Sequence, residues 1–179
     1  MPFPVLLTER LVLREINEKD YLDIFQYLSD REVMKYYGMM PFQKEEEALE
    51  EIKWYQQIYH SQSGIRWGIS LQGSSQIIGS CGFLNWDKKH HRVEIGFELS
   101  KEYWKLGMMT EALSKIIPFG FENYRFNRIQ ALVEPDNRAS HVLLKKLGFV
   151  EEGVLSQYEF TCGKYDDLLM LALLKRDFI

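Results

Sequence analysis

Hydrophobic and polar positions along this 179-residue chain change period several times, alternating in some stretches and recurring at helical spacing in others. Leu7–Ile16 alternates, with Leu11 and Leu13 on one face and Val12 and Arg14 on the other, and predicts a strand. Asn17 then opens a helix: it is a good N-cap, acidic residues follow it, and Tyr21, Ile24, Phe25 and Leu28 fall on one stripe. A second helix is predicted over Lys44–Tyr59, with Ala48, Ile52, Tyr55 and Tyr59 inward and a glutamate run facing solvent. Ile65–Trp86 reads as a β-hairpin turning at Gly73-Ser74-Ser75. In Arg92–Leu99 the alternation is strict, Val93, Ile95, Phe97 and Leu99 opposing Glu94, Gly96 and Glu98. Met109, Ala112, Leu113, Ile116, Ile117 and Phe121 return to helical spacing, and Pro118 should end or kink that helix because its ring clashes with the preceding turn. Arg128–Pro135 predicts a strand, Asn137–Leu147 a short helix closed by Gly148, and Phe149–Phe160 with Tyr165–Leu174 a final antiparallel pair.

The middle of this order is strand–helix–strand, which favours a partly parallel sheet at the centre of an α/β fold. No internal repeat or low-complexity linker interrupts it, so residues 1–179 are read as a single domain. Composition narrows the picture further. A hydrophobic fraction of 46% with 27% charged residues supports a packed core. No apolar run approaches the ~20 residues of a membrane-spanning helix, and the first residues lack a signal-peptide pattern. Cys81 and Cys162 form no CxxC motif and are expected to be reduced thiols, so a cytoplasmic location is expected. The net charge of −4 argues against a nucleic-acid binder but leaves room for a phosphorylated small ligand.

Chemistry is suggested where strands run into helices. In Glu98–Leu113, ELSKEYWKLGMMTEAL, one glycine, Gly107, stands between strand and helix. Such a turn is either a packed loop or an anion site, since the first N–H groups of a helix are unsatisfied and its dipole favours negative charge. A second strand–helix turn follows Glu134, with Asn137 and Ser140 at the helix start. Both turns lie at the same end of the sheet, where ligands of such folds usually sit. His60, His90, His91 and His141 make no metal pattern, and neither GxxxxGK[ST] nor GxSxG occurs.

EIGFELSKEYWKLGMMTEAL followed by NRIQALVEPDNRASHVLLKKLGF resembles the GNAT superfamily of acyl-CoA N-acyltransferases. TERLVLREI near the start and GKYDDLLMLALL near the end are similar to its RimJ/RimL-like branch, which includes ribosomal-protein N-terminal acetyltransferases. The resemblance implies a mixed, mostly antiparallel sheet with a splayed parallel strand pair, flanked by about four helices. It also implies acetyl-CoA as acyl donor and no metal. The family's pyrophosphate loop matches Trp104, Lys105, Leu106, Gly107, Met108, Met109 and Thr110. Two positions depart from the usual pattern: the family often has glycine where Lys105 stands and a small residue where Met109 stands. Phe97, Glu98 and Leu99 would line the wedge for the pantetheine arm, with a backbone N–H near Glu98 polarising the thioester carbonyl.

Asn137 would bind the pantetheine arm, and Ser140 would protonate the leaving thiolate; as residues at a helix start, both are also ordinary caps. The tyrosine that many of these enzymes use as the acid is replaced by Leu144. Glu159 matches the branch's acidic position as base, with Glu94, Glu98 and a water chain as rivals. Lys145 and Lys146 would face the CoA 3′-phosphate or belong to a solvated helix face. Trp67, Trp86, Tyr36 and Tyr37 would line the acceptor cleft or pack in the core. The implied activity is transfer of an acetyl group from acetyl-CoA to a primary amine, on a protein N-terminus or a small molecule, by direct attack on the thioester. The alternative is a CoA-binding sensor or interaction module with little turnover. Aromatic residues near the N-terminal helices would suit a homodimer contact.

Overall fold

The computed structural model describes residues 2–178. Its elements run β1 (Leu6–Leu7), β2 (Leu11–Arg14), α1 (Tyr21–Leu28), α2 (Arg31–Met34), α3 (Glu45–His60), β3 (Ile65–Leu71), β4 (Gly79–Asp87) and β5 (Arg92–Leu99). There follow α4 (Met108–Asn123), β6 (Arg128–Val133), α5 (Arg138–Lys146), β7 (Val150–Thr161) and β8 (Lys164–Leu174). The eight strands form one sheet in the order β1-β2-β3-β4-β5-β6-β8-β7. Every neighbouring pair is antiparallel except β5 and β6.

The parallel pair is short. Arg92, Val93 and Glu94 face Arg128, Ile129 and Gln130, and beyond them no pairing joins β5 to β6. β5 nevertheless stays on β4 up to Leu99, while β6 stays on β8 up to Val133. The sheet therefore opens along its middle, leaving backbone groups of both strands free for a ligand.

Strand register sorts the side chains onto two faces. Ile65, Phe83 and Ile95 share one face with Trp67, Cys81 and Phe97, and α4 packs there through Ala112, Leu113, Ile116, Ile117 and Phe121. Burying an aliphatic or aromatic side chain of this size contributes about 1.5–3 kcal/mol, so this face carries most of the core. On the other face Arg66, Gly82 and Gly96 alternate with Gly68, Ser80 and Glu98. Helices α1 and α3 cover that face with Ile24, Tyr27, Leu28, Ile52 and Tyr55.

Three local expectations are corrected. The first strand is broken in two, because the Thr8 N–H turns back onto the Leu11 carbonyl at 3.0 Å and makes a hairpin of β1 and β2. Pro118 does not end its helix: α4 continues to Asn123, and Ser114, whose carbonyl the proline cannot meet, lies on the exposed side where water can replace the missing donor. The residues Gln72–Ile78 form a longer connection than a tight turn, with Gly73 at φ +81°. A fifth helix, α2, is a single turn capped by Asp30, which accepts from the Glu32 N–H at 2.8 Å. It is too short to leave a periodic signal.

The glycines of the polar face are required by contact distance. A Cβ on Gly82 would lie 2.0 Å from the Ile65 carbonyl oxygen and 2.9 Å from the Arg66 Cα. Backbone cannot withdraw as a flexible side chain can, so Gly82→Ala is expected to destabilise the fold by about 1–3 kcal/mol, as overpacking does. Urea unfolding of the variant measures this; an unchanged midpoint would mean that β3 and β4 are not held at this separation.

Candidate active site

The helix α4 starts at Gly107, which has φ +76° and ψ 5°, a left-handed conformation that glycine adopts without strain. The Glu111 N–H is bonded to the Gly107 carbonyl at 3.0 Å, so the amides of Met108, Met109 and Thr110 precede the first intrahelical bond. They open into a cavity of about 670 Å³. Phe97, Glu98, Leu99, Trp104, Lys105, Gly107, Met108, Met109, Thr110, Asn137 and Ser140 all line it. Of the expected loop, Leu106 is outside the lining: its carbonyl accepts from Arg10 Nη1 at 2.9 Å.

Arg10 also bonds Glu111 Oε2 through Nε at 2.6 Å, and Thr8 Oγ1 donates to Glu111 Oε1 at 2.6 Å. The loop is thus clamped from behind by the turn between β1 and β2. The alternation of Leu7–Ile16 predicts strand through this turn and gives no sign of the support it provides. Met109 belongs to the main core cluster, which explains how a large side chain fits where the family prefers a small one. Lys105 has φ +61°. This is the left-handed region that glycine adopts without strain, here occupied by a lysine. It lines the cavity with Lys35 and Lys146, against Glu32 and a Glu98 already paired with Arg66, whereas Lys145 is not in the lining.

At its other end the cavity adjoins a second one of about 470 Å³, and Tyr36, Tyr37, Phe97, Asn137 and Ser140 line both. Asn137 Oδ1 accepts from the Ser140 N–H at 3.3 Å, so Asn137 does cap α5. The Ser140 hydroxyl makes no hydrogen bond among the described residues and stands at the junction of the cavities. Leu144, at the position of the familiar tyrosine, is fully buried in the core and lines neither cavity. For Tyr37 the sequence leaves open cleft lining or core packing, and the structure puts it in the lining of both cavities. Its hydroxyl is pushed up by burial and by nearby Glu98, and so stays a proton donor at neutral pH.

Glu159 lines only the second cavity, on the exposed strand β7. Glu94 is also there, with Asn85 Nδ2 on one oxygen at 2.9 Å. Glu98 keeps the alternation, on the face opposite Phe97 and Leu99, yet it is 6% exposed, with its carboxylate held by Arg66 and Ser80 inside the protein. Burial pushes the Glu98 carboxyl up and Arg66 opposes this, so its oxygens are committed to the pair. Arg66 itself was missed, although a charged residue within the apolar run IRWGIS signals a buried polar partner. Glu51 and Glu134 also line the second cavity and were likewise unforeseen. Trp67 is fully buried, and Trp86 packs against Tyr124 and Phe126.

Backbone donors alternate sides along an extended strand. The His91 carbonyl accepts from Asn127 on the β6 side at 2.8 Å, and the Ser100 N–H donates to Ile78 on the β4 side at 2.8 Å. With no register shift between Glu94 and Leu99, the N–H of Glu98 faces β4. Those of Phe97 and Leu99 face the opening.

An acetyltransferase (GNAT) domain model matches residues 10–150, and the chain belongs to that family. It is 40% identical over 173 residues to the N-acetyltransferase YoaA of Bacillus subtilis (strain 168), covering 97% of this chain and 98% of YoaA. It is 26% identical over 181 residues to the [ribosomal protein uS5]-alanine N-acetyltransferase of Escherichia coli (strain K12), covering 96% and 91%. A GNAT-family acetyltransferase structure from Bacillus anthracis superposes with a TM-score of 0.85 at 25% identity, over 97% of this chain and 99% of that one.

Lys105 separates strain from charge in a single substitution. A non-glycine residue held in the left-handed region costs on the order of 1 kcal/mol, and removing the lysine also removes a cation from the cavity. Lys105→Gly is expected to raise the stability of the free protein while weakening acetyl-CoA binding. Thermal unfolding with and without acetyl-CoA reads both, and a variant that loses stability in the free state would contradict the strained loop.

Proposed function

We propose that this GNAT acetyltransferase moves the acetyl group of acetyl-CoA directly to a primary amine bound in the second cavity. The observation that carries the reading is the junction at Ser140 and Tyr37, where a basic, amide-lined cleft meets an acidic cavity at the opening of the sheet. The cleft fits the donor: the α4 amides and Lys105 suit a diphosphate, and the parted strands suit an extended arm. When bound there, acetyl-CoA supplies a thioester carbonyl carbon and a thiolate leaving group.

The amine lone pair adds to that carbon, the carbon–sulfur bond breaks, and the products are an N-acetyl amine and the CoA thiol. Glu159 takes the amine proton, directly or through water. Ser140 gives the thiolate its proton, with Tyr37 as the neighbouring donor. The N–H groups of Phe97 or Leu99 stabilise the charge developing on the carbonyl oxygen. A binding module without turnover has less support, because Ser140 and Glu159, the acid and base proposed here, both line the second cavity. A homodimer remains part of the proposal, and the exposed Tyr158, Phe160 and Tyr165 of the β7–β8 hairpin suit it better than the N-terminal helices.

Acetyl-CoA at about a hundredfold over its Kd should stabilise the fold by about 2.7 kcal/mol. Gly107→Asp should abolish that shift, since a Cβ at φ +76° is strained and the carboxylate repels a diphosphate. An unchanged shift would place the donor elsewhere.

Proton transfer has its own test. Ser140→Ala and Glu159→Gln should each lower kcat by about 10²–10⁴ while leaving acetyl-CoA affinity nearly intact. Loss of the base should be partly recovered at high pH, where more amine is neutral; loss of the acid should not. Losses well below tenfold would remove these roles, passing the acid to Tyr37 or the base to Glu94 or water.

A further inference from the structure

The two ends of the cleft carry opposite charge. In the second cavity the side chains of Glu51, Glu94, Glu134 and Glu159 meet one cation, Arg66, which is already paired with Glu98. Glu94 is held by the amides of Asn85 and Gln130. Glu134 and Glu159 have neither a hydrogen bond nor an ion pair to their carboxylates among the described residues. Both line the cavity without being buried, Glu134 just beyond the end of β6 and Glu159 on β7. They also repel each other: the Glu134 carboxyl is pushed up by burial, then by Asp166, with Glu159 and Asp136 adding to it and only Lys164 opposing. No group of three or more His, Cys, Asp or Glu among the described residues is arranged to hold a metal ion. The carboxylates are too spread for a point charge. They suit an extended cation.

From this lining, and resting on the acetyltransferase reading, we infer that the acceptor is a di- or polycationic amine. One nitrogen is acetylated at the Ser140 junction while a second, still protonated, is held by Glu134 and its neighbours. The second charge follows from the chemistry. The attacking nitrogen must lose its proton before it reacts, so its own charge is absent at the moment of transfer. An acidic wall would then only hinder a monoamine by holding its proton. A second ammonium keeps the electrostatic attraction throughout the reaction and offsets the field that the carboxylates exert on the first nitrogen. Only one carboxylate is needed as base, which leaves the others for binding.

The test is CoA thiol release at saturating acetyl-CoA, with butane-1,4-diamine, n-pentylamine, 4-aminobutyrate and a neutral peptide with a free N-terminus as acceptors. The diamine is expected to exceed n-pentylamine in kcat/KM by about tenfold or more, the scale of one charge-assisted contact. 4-Aminobutyrate should be the poorest, and added salt should erode the preference by screening. Glu134→Gln should shrink the diamine-to-pentylamine ratio, and Glu134→Asp should partly restore it. Equal rates for diamine and monoamine, or a preference for 4-aminobutyrate or the neutral peptide, would overturn the inference while leaving acetyl transfer intact. If no acceptor releases thiol, thermal shift with CoA present separates the two ideas. Diamine-specific, salt-sensitive stabilisation would support the cationic site and sink the turnover, whereas no diamine stabilisation would sink the inference.

Discussion

Strand β5 is gripped along its length by β4 and released by β6 after Glu94, and the whole cleft follows from that difference. A strand pair that stops hydrogen-bonding leaves N–H and C=O groups without partners, a cost that folding tolerates where water or a ligand can meet them. Here the released groups lie between two helix N-termini, at Gly107 and at Asn137. Helix α4 brings unsatisfied donors to the gap that the strands leave, whereas at α5 the N–H groups of Arg138 and Ser140 are already met by Asp136 and Asn137. The fold places the free donors of a sheet and of the α4 N-terminus in one opening, an arrangement that suits an extended, anionic ligand.

Holding the released end of β5 in place falls to an interaction on the opposite face. Arg66 on β3 reaches across β4, bonds Ser80 Oγ at 2.9 Å, and pairs with Glu98 near the tip of β5. Gly96 makes the crossing feasible, since a Cβ there would lie 2.9 Å from the guanidinium. A buried ion pair of this kind adds little net stability, because desolvation offsets its attraction. Its effect is directional: a shifted β5 would strand a buried charge, so the pair penalises every other register. Tyr55 stacks over the Arg66 guanidinium, at 5.9 Å to the ring centre, which joins α3 to the same arrangement.

Most elements were legible because they are periodic and long. The helices α3 and α4 and the strands β5 and β6 declare themselves through stripes or alternation. The failures have physical causes. Alternation in Leu7–Ile16 could not reveal that Thr8 closes a turn, since that depends on one backbone bond. Pro118 is tolerated because the carbonyl it leaves unpaired faces solvent. The parity of Glu98 sets it on the face opposite Phe97 and Leu99, but both faces of this sheet are covered, so parity selects a face and says nothing about exposure. Of the candidate site, the glycine turn that opens α4 was readable because local sequence forms it. The acidic cavity was not, because Glu51, Glu94, Glu134 and Glu159 come from separate elements and meet only in the folded chain.

The same distribution of charge bears on turnover. On the proposed reading, several carboxylates attract an ammonium into the second cavity and raise its occupancy there, while Lys35, Lys105 and Lys146 line the cleft proposed for acetyl-CoA. Transfer converts one amine into an amide, which carries no charge at any ordinary pH. The product thus leaves a cavity whose attraction for it has dropped by one full charge, and the CoA thiol leaves separately along the basic cleft. Repulsion between Glu134 and its acidic neighbours, relieved by the substrate, returns as the product departs. A cavity that is acidic beyond the need for one base therefore favours binding of the amine over binding of its acetylated form, which keeps product from accumulating at the site.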